Sequence, residues 1–180
     1  MCQLLLPIFS AVCGENPQHL WSPGGQPLPC CQRCTGLYAG AVVATVLHVW
    51  FRPRLSKSFL RLHAVFLLQL GWFVFPWMPA AAVLRTISGA LFGFGLVAFL
   101  GPAIFDRCPP LKVSPFRARG YALGLAGALG LVPAVAEWGG AAGAFVLMGV
   151  VSAGALALAA LAFANLARLL LRPRMSFTPS

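Results

Sequence analysis

The chain has 180 residues, of which 59% are hydrophobic and only 9% charged, with a mean hydropathy of +0.84. A water-soluble domain carries about 25% charged residues, so this composition excludes one: there are too few polar groups to cover a surface facing water. The formal charge of +10 does not indicate a nucleic-acid partner, because the basic residues fall in short clusters between apolar stretches, the pattern that sets topology in a bilayer.

Crossing the hydrocarbon core takes about 17–25 mostly apolar residues. Residues 1–34 supply no span. Leu4 to Val12 is apolar but too short, and it lacks the basic start and cleavage site of a signal peptide, so it reads as an interfacial or re-entrant piece. Five stretches then qualify in order: 35–51, 62–78, 86–105, 120–136 and 141–167. The fourth is short, Gly-rich and interrupted by Pro133, and the fifth is long enough to tilt or to reach into the interface. Gly89 with Gly93, and Gly120 with Gly124, are four apart on their stretches, a spacing that lets helix backbones approach closely. Trp50, Trp77, Tyr121 and Trp138 fall near the ends, where amphipathic rings prefer the membrane–water boundary. Residues 168–180 form a tail. The expected fold is all-α, a polytopic transmembrane bundle of about five helices whose first partner is the lipid bilayer itself.

Orientation follows from charge. Eleven of the thirteen Lys and Arg residues lie between the first and second stretches (Arg52, Arg54, Lys57, Arg61), between the third and fourth (Arg107, Lys112, Arg117, Arg119) or after the fifth (Arg168, Arg172, Arg174). These regions alternate so as to share one side, and Arg33 and Arg85 are left for the other. The basic side is expected to be cytoplasmic, which puts the N-terminus outside, the C-terminus inside, and the protein in the cytoplasmic (inner) membrane as a multi-pass chain.

Five of the six cysteines stand in the first 34 residues: Cys2, Cys13, Cys30, Cys31 and Cys34. Cys31-Gln32-Arg33-Cys34 is a C-x-x-C turn immediately before the first span. Such a turn converges two sulfurs on one metal ion or closes a small disulfide. The adjacent helix N-terminus and Arg33 both favour thiolate over thiol. A tetrahedral site needs two further ligands. Cys13 is the natural third, and His19 or Cys30 could be the fourth, with the turn-rich Pro23-Gly24-Gly25-Gln26-Pro27 folding Cys13 back over the pair. A staple that only holds this segment on the membrane fits the same residues.

The run Pro29-Cys30-Cys31-Gln32-Arg33-Cys34-Thr35-Gly36-Leu37-Tyr38, with Gly40 close behind, resembles the signature P-x-C-x-R-C-T-G-I-Y-x-G of the prokaryotic membrane family called domain of unknown function 2085. Upstream, that family reads C-H-Q-x-P-x-R-S-F. Here Cys13 and Pro17 match and Trp21 replaces the aromatic, while Gly14 stands for the His, His19 for the Arg and Leu20 for the Ser. Arg85, Ser88, Gly89 and Gly93 are similar to the family's later Arg and Ser/Thr-Gly. The resemblance covers roughly residues 10 to 105 and implies an architecture rather than an activity. If the family holds metal through three Cys and that His, this chain has lost one ligand, for which His19 could substitute.

Other groups read more plainly. His48 and His63 sit near the inner ends of the first two spans, at similar depth, and haem or metal ligation competes there with histidines that face the interface. Gln69, mid-span, suits an interhelical hydrogen bond. Arg85 and Glu137 flank the cysteine end and could pair across it. No nucleotide-binding loop, Ser-His-Asp set or paired-carboxylate constellation is visible, and three acidic residues leave little for acid–base hydrolysis. Three functions remain open. The first is a Cys-based metal site, zinc or another divalent ion, on Cys13, Cys31, Cys34 and His19. The second is a quinone-linked thiol–disulfide oxidoreductase that uses Cys31 and Cys34, with a relay pair from Cys2, Cys13 and Cys30. The third is an accessory or assembly subunit of a membrane complex.

Overall fold

A computed structural model of the chain describes residues 17–51, 56–72, 81–102 and 117–171. Among these, two short 3-10 turns, Pro17–His19 and Pro23–Gly25, precede five helices: α1 Gln32–Phe51, α2 Lys57–Trp72, α3 Ala82–Leu100, α4 Arg117–Trp138 and α5 Gly140–Leu171. The helices α1, α3, α4 and α5 are long and apolar enough to cross a membrane. The described part of α2 has 16 residues. Every helix starts before the apolar stretch read from the sequence. In α1, α2 and α4 the first turns carry residues that hydropathy rejects but helix geometry accepts, such as Gln32 and Arg33 in α1 or Lys57 and Arg61 in α2. Residues 73–78 and 103–105 of the expected stretches lie outside the described residues.

The chain forms a helical membrane bundle, and its apolar residues are distributed accordingly. Leu123, Leu131, Phe145, Leu156 and Phe163 are each at least 65% exposed on α4 and α5. A protein in water could not leave so much contiguous apolar surface open; acyl chains cover it at no cost.

α1 runs through the middle and packs on α3, α5 and α4, while α2 leans on α3. The α1–α3 crossing is backbone on backbone. A methyl group added to Gly36 would strike the Thr86 carbonyl oxygen, and one on Gly40 would strike Ala90. From the other side, one on Gly89 would strike the Arg33 carbonyl and one on Gly93 the Leu37 carbonyl. Gly36-x-x-x-Gly40 and Gly89-x-x-x-Gly93 therefore interlock, as small residues do where no aqueous hydrophobic effect drives helices together. The Gly89–Gly93 spacing marks this internal seam. Gly120 and Gly124 act differently, making room for the side chains of Phe51 and Leu47.

α4 continues through Pro133, although a proline ring removes one intrahelical hydrogen bond. It ends at a one-residue break, Gly139, and α5 starts with Gly140 at φ +55°, a left-handed conformation that favours glycine. The ends of the bundle carry aromatics as expected for Trp50 and Trp138, both more than 70% exposed. Tyr121 departs from that expectation: it is 8% exposed and belongs to the core of Phe94, Val97, Leu47 and Ala128. Trp77 lies outside the described residues.

Gly36→Ala and Gly89→Ala are expected to destabilise the detergent-solubilised protein by at least the ~1–3 kcal/mol typical of overpacking. Gly127→Ala and Gly149→Ala, where nothing lies within 4 Å of the added carbon, should leave it unchanged or raise its stability by up to ~1 kcal/mol through helix propensity. Thermal melts followed by size-exclusion chromatography in detergent would separate the two pairs.

Candidate functional site

The site is built by residues 17–31 folding over the head of α1. Prolines at 23, 27 and 29 remove backbone donors, so no regular strand ladder can form. What forms is a narrow loop. Leu20 and Cys31 make a single antiparallel bridge. Leu28 N–H donates to the Trp21 carbonyl at 2.8 Å, Gly25 N–H to Ser22 at 3.1 Å and Gln26 N–H to Pro23 at 3.2 Å. Gly24, at φ +59°, lies so close to the α4–α5 turn that a Cβ there would meet the backbone of Gly140 and Ala141. Irregular backbone within a membrane bundle persists only where protein covers it. Here Trp21 (7% exposed) and Leu28 (2%) sink into a cluster with Ala39, Val132, Ala136 and Leu147. The Trp21 indole Nε1–H donates to Thr86 Oγ1 at 2.9 Å, and the Thr86 hydroxyl donates in turn to the Ala82 carbonyl at 3.0 Å.

The three described cysteines sit where this loop enters α1. The first helical bond runs from Thr35 N–H to the Cys31 carbonyl at 2.8 Å. The Thr35 hydroxyl donates to the same carbonyl at 3.1 Å. With its proton committed there, its oxygen accepts from the Cys30 thiol at 3.4 Å. Cys30, 1% exposed, turns inward against Val151 of α5; Cys31 and Cys34 are half-buried and pack on the same group, together with Tyr38 and Ala155. Cys31 and Cys34 are three residues apart in the first turn of α1, hence on one face. His19 immediately precedes Leu20, the residue bridged to Cys31. Gln32, 6% exposed, donates Nε2–H to the Leu20 carbonyl at 3.4 Å, and its Oε1 is buried with no hydrogen-bond partner among the described residues.

The residues read as metal ligands are thus gathered only in part. Cys31 and Cys34 share one face of α1, while Cys13 lies outside the described residues, as do Cys2 and Cys108. Among the described residues no three of His, Cys, Asp and Glu converge as around one ion. Cys30, whose thiol lies against the Thr35 hydroxyl, packs in one group with Cys31 and Cys34. Glu137 is exposed at the end of α4, and Arg85 and Glu137 form no ion pair among the described residues.

A second polar group stands at the opposite, basic end, and here the structure corrects the reading of interface-facing histidines. His63 is 0% and His48 4% exposed. Each donates Nδ1–H to the carbonyl four residues back, His48 to Ala44 at 2.8 Å and His63 to Phe59 at 2.9 Å. A carbonyl can only accept, which places the proton on Nδ1 and makes Nε2 the acceptor in the neutral ring. Tyr121 then donates its hydroxyl to His63 Nε2 at 2.8 Å. The His48 ring stands edge-on to Tyr121, with centroids 5.6 Å apart. The sequence showed the two histidines at similar depth; the tyrosine that joins them was missed, because it comes 58 residues after His63. Gln69 makes the expected interhelical bond, Nε2–H to the Ser88 carbonyl at 2.7 Å.

Residues 13–99 match the model of a family described as a predicted membrane protein, DUF2085. The resemblance read from the C-x-R-C-T-G-x-Y run holds over that span, which begins at Cys13 and ends within α3, leaving α4 and α5 beyond it. No curated protein and no solved structure matches the chain.

After reduction and chelation, Cys30 should alkylate roughly ten-fold or more slowly than Cys31 and Cys34, since reactivity follows access; peptide mass spectrometry of timed maleimide quenches would show the order. Tyr121→Phe leaves the buried His63 Nε2 without its donor and should cost about 1–3 kcal/mol. Adding His63→Leu should then cost less than it does alone, a coupling that a double-mutant cycle of thermal melts measures.

Proposed function

We propose that the chain, which over residues 13–99 matches this membrane protein family, carries a metal-binding sulfur site at the capped end of its helical bundle. Cys31 and Cys34 are its core ligands, and Cys13 and His19 complete it. The observation that carries the reading is the head of α1, where two half-buried cysteines lie one turn apart beside a buried amide oxygen, Gln32 Oε1, that has no donor among the described residues. An unsatisfied buried acceptor costs about 1–3 kcal/mol, so this end of α1 calls for a further group beside the cysteines. The donor set of three sulfurs and one imidazole suits zinc, a borderline-soft ion that favours Cys and His in tetrahedral sites. Bound there, such an ion would hold residues 13 and 19 against the first turn of α1 and fix the cap as a unit.

On this reading the site faces the exoplasmic side of the cytoplasmic membrane, because eleven of thirteen basic residues belong to the opposite end and cationic loops stay in the cytoplasm. An impermeant biotin-maleimide applied to intact cells should reach Cys31 and Cys34 after metal removal and leave Cys108 unlabelled. Labelling confined to Cys108 would invert the topology.

Elemental analysis of protein purified without chelators tests the site directly. The wild type should hold about one zinc-like ion per chain. Cys31→Ser and Cys34→Ser should lose it, and Cys30→Ser, whose thiol is turned toward Thr35 and Val151, should keep it. Protein free of stoichiometric metal, with Cys13, Cys31 and Cys34 all open to alkylation, would overturn the assignment. The packing of Cys30 in one group with Cys31 and Cys34 supports thiol–disulfide exchange as the second reading, and a Cys31–Cys34 bond trapped in both oxidised and reduced forms in cells would favour it over metal binding.

A further inference from the structure

We infer that residues 17–31 are a latched plug, and that Trp21 occupies, as an internal ligand, a cleft among α1, α3, α4 and α5 suited to a membrane-soluble aromatic molecule bearing one hydrogen-bond donor. This goes beyond the metal site.

The backbone bonds of the segment close within itself and onto the first turn of α1: Leu28 to Trp21, Gly25 to Ser22, Gln26 to Pro23, and Leu20 with Cys31. It meets the other helices by packing, with Trp21 and Leu28 in the apolar cluster, Gly24 against the Gly140–Ala141 backbone and Cys30 against Val151, and by the indole hydrogen bond to Thr86. The loop can therefore lift as a unit without unravelling its own turns, with Gly24 and Gly25 at positive φ forming its tip.

The seat has the chemistry of a small-molecule site, with apolar walls and one placed polar group. Ala39, Val132, Ala136 and Leu147 are small or aliphatic. Thr86 is 0% exposed, and its own proton goes to Ala82, so its oxygen is left as an acceptor. A flat ring with one N–H or O–H donor meets each of these conditions, as the indole does. A hydroxy-aromatic dissolved in the bilayer would meet them equally, and would compete with Trp21 for the same oxygen.

The test uses full-length protein in detergent with Leu147→Cys as a reporter beneath the plug and Phe94→Cys, buried in the other core, as a control for integrity. N-ethylmaleimide labelling is read peptide by peptide, so the native cysteines do not interfere. Thr86→Val keeps the shape of the seat and removes the acceptor; Trp21→Phe keeps a ring and removes the donor. Both should speed labelling at position 147 at least several-fold while position 94 stays silent. In Trp21→Ala protein, added indole should protect position 147 about ten-fold better than indene, its analogue without the N–H, and Thr86→Val should abolish that difference. Equal rates at position 147 in wild type, Thr86→Val and Trp21→Phe would overturn the latch. Indole and indene protecting alike, or neither protecting, would overturn the ligand site. Should position 94 label in one latch variant, the rate at position 147 in the other decides between latch and no latch.

Discussion

The α1–α3 crossing is the constraint on which the rest depends. In lipid, two helices gain little from hiding apolar side chains from each other, because acyl chains are equally apolar; close packing and weak polar contacts decide who neighbours whom. Four glycines bring these two backbones into contact. That contact sets the height of Thr86 relative to Cys31, because Gly36 lies against Thr86 and Gly89 against Arg33. It thereby places the acceptor for Trp21 beside the first turn of α1. Tyr38 is fixed by the same helix and lies against Gly154 of α5, which brings Val151 and Ala155 under the cysteines. Packing between bare backbones sets the position of the chemistry.

This gives the C-x-R-C-T-G-x-Y-x-G run two distinct contents. Gly36 and Gly40 serve the crossing, and Thr35 serves the helix start by donating to the Cys31 carbonyl and accepting from Cys30. Cys31 and Cys34 pack with Cys30, Tyr38, Val151 and Ala155 beneath the loop.

Much of the architecture was legible in the residues. The membrane class followed from composition, the helices from apolar stretches, and the Gly89–Gly93 seam from spacing; Gln69 was read as an interhelical donor and is one. Gly36 and Gly40 were visible as motif letters, but their role as the matching half of the seam depends on which helices become neighbours, which single-chain periodicity does not encode. The descent of Trp21 and Leu28 into the bundle was hidden for a related reason. They stand among prolines and glycines with no period, and their partners come from α3, α4 and α5. Tyr121 was misread because an aromatic at a helix start is usually an interfacial anchor, whereas His63 supplies a buried acceptor that draws it inward. At the site itself the C-x-x-C pair was evident. That the Cys30 thiol bonds to the Thr35 hydroxyl was not evident from spacing.

The cap has a consequence for biogenesis. Residues 17–31 leave the ribosome before the helices they rest on, because their resting place is completed by Val132, Ala136, Leu147 and Val151, more than a hundred positions later. The earliest described segment must therefore be the last to settle, and until the α4–α5 hairpin inserts, all three sulfurs of the cap remain open to whatever ions, oxidants or chaperones wait at the translocation site. Loading of any metal at Cys31 and Cys34 would have its widest opportunity in that interval, before the roof is in place.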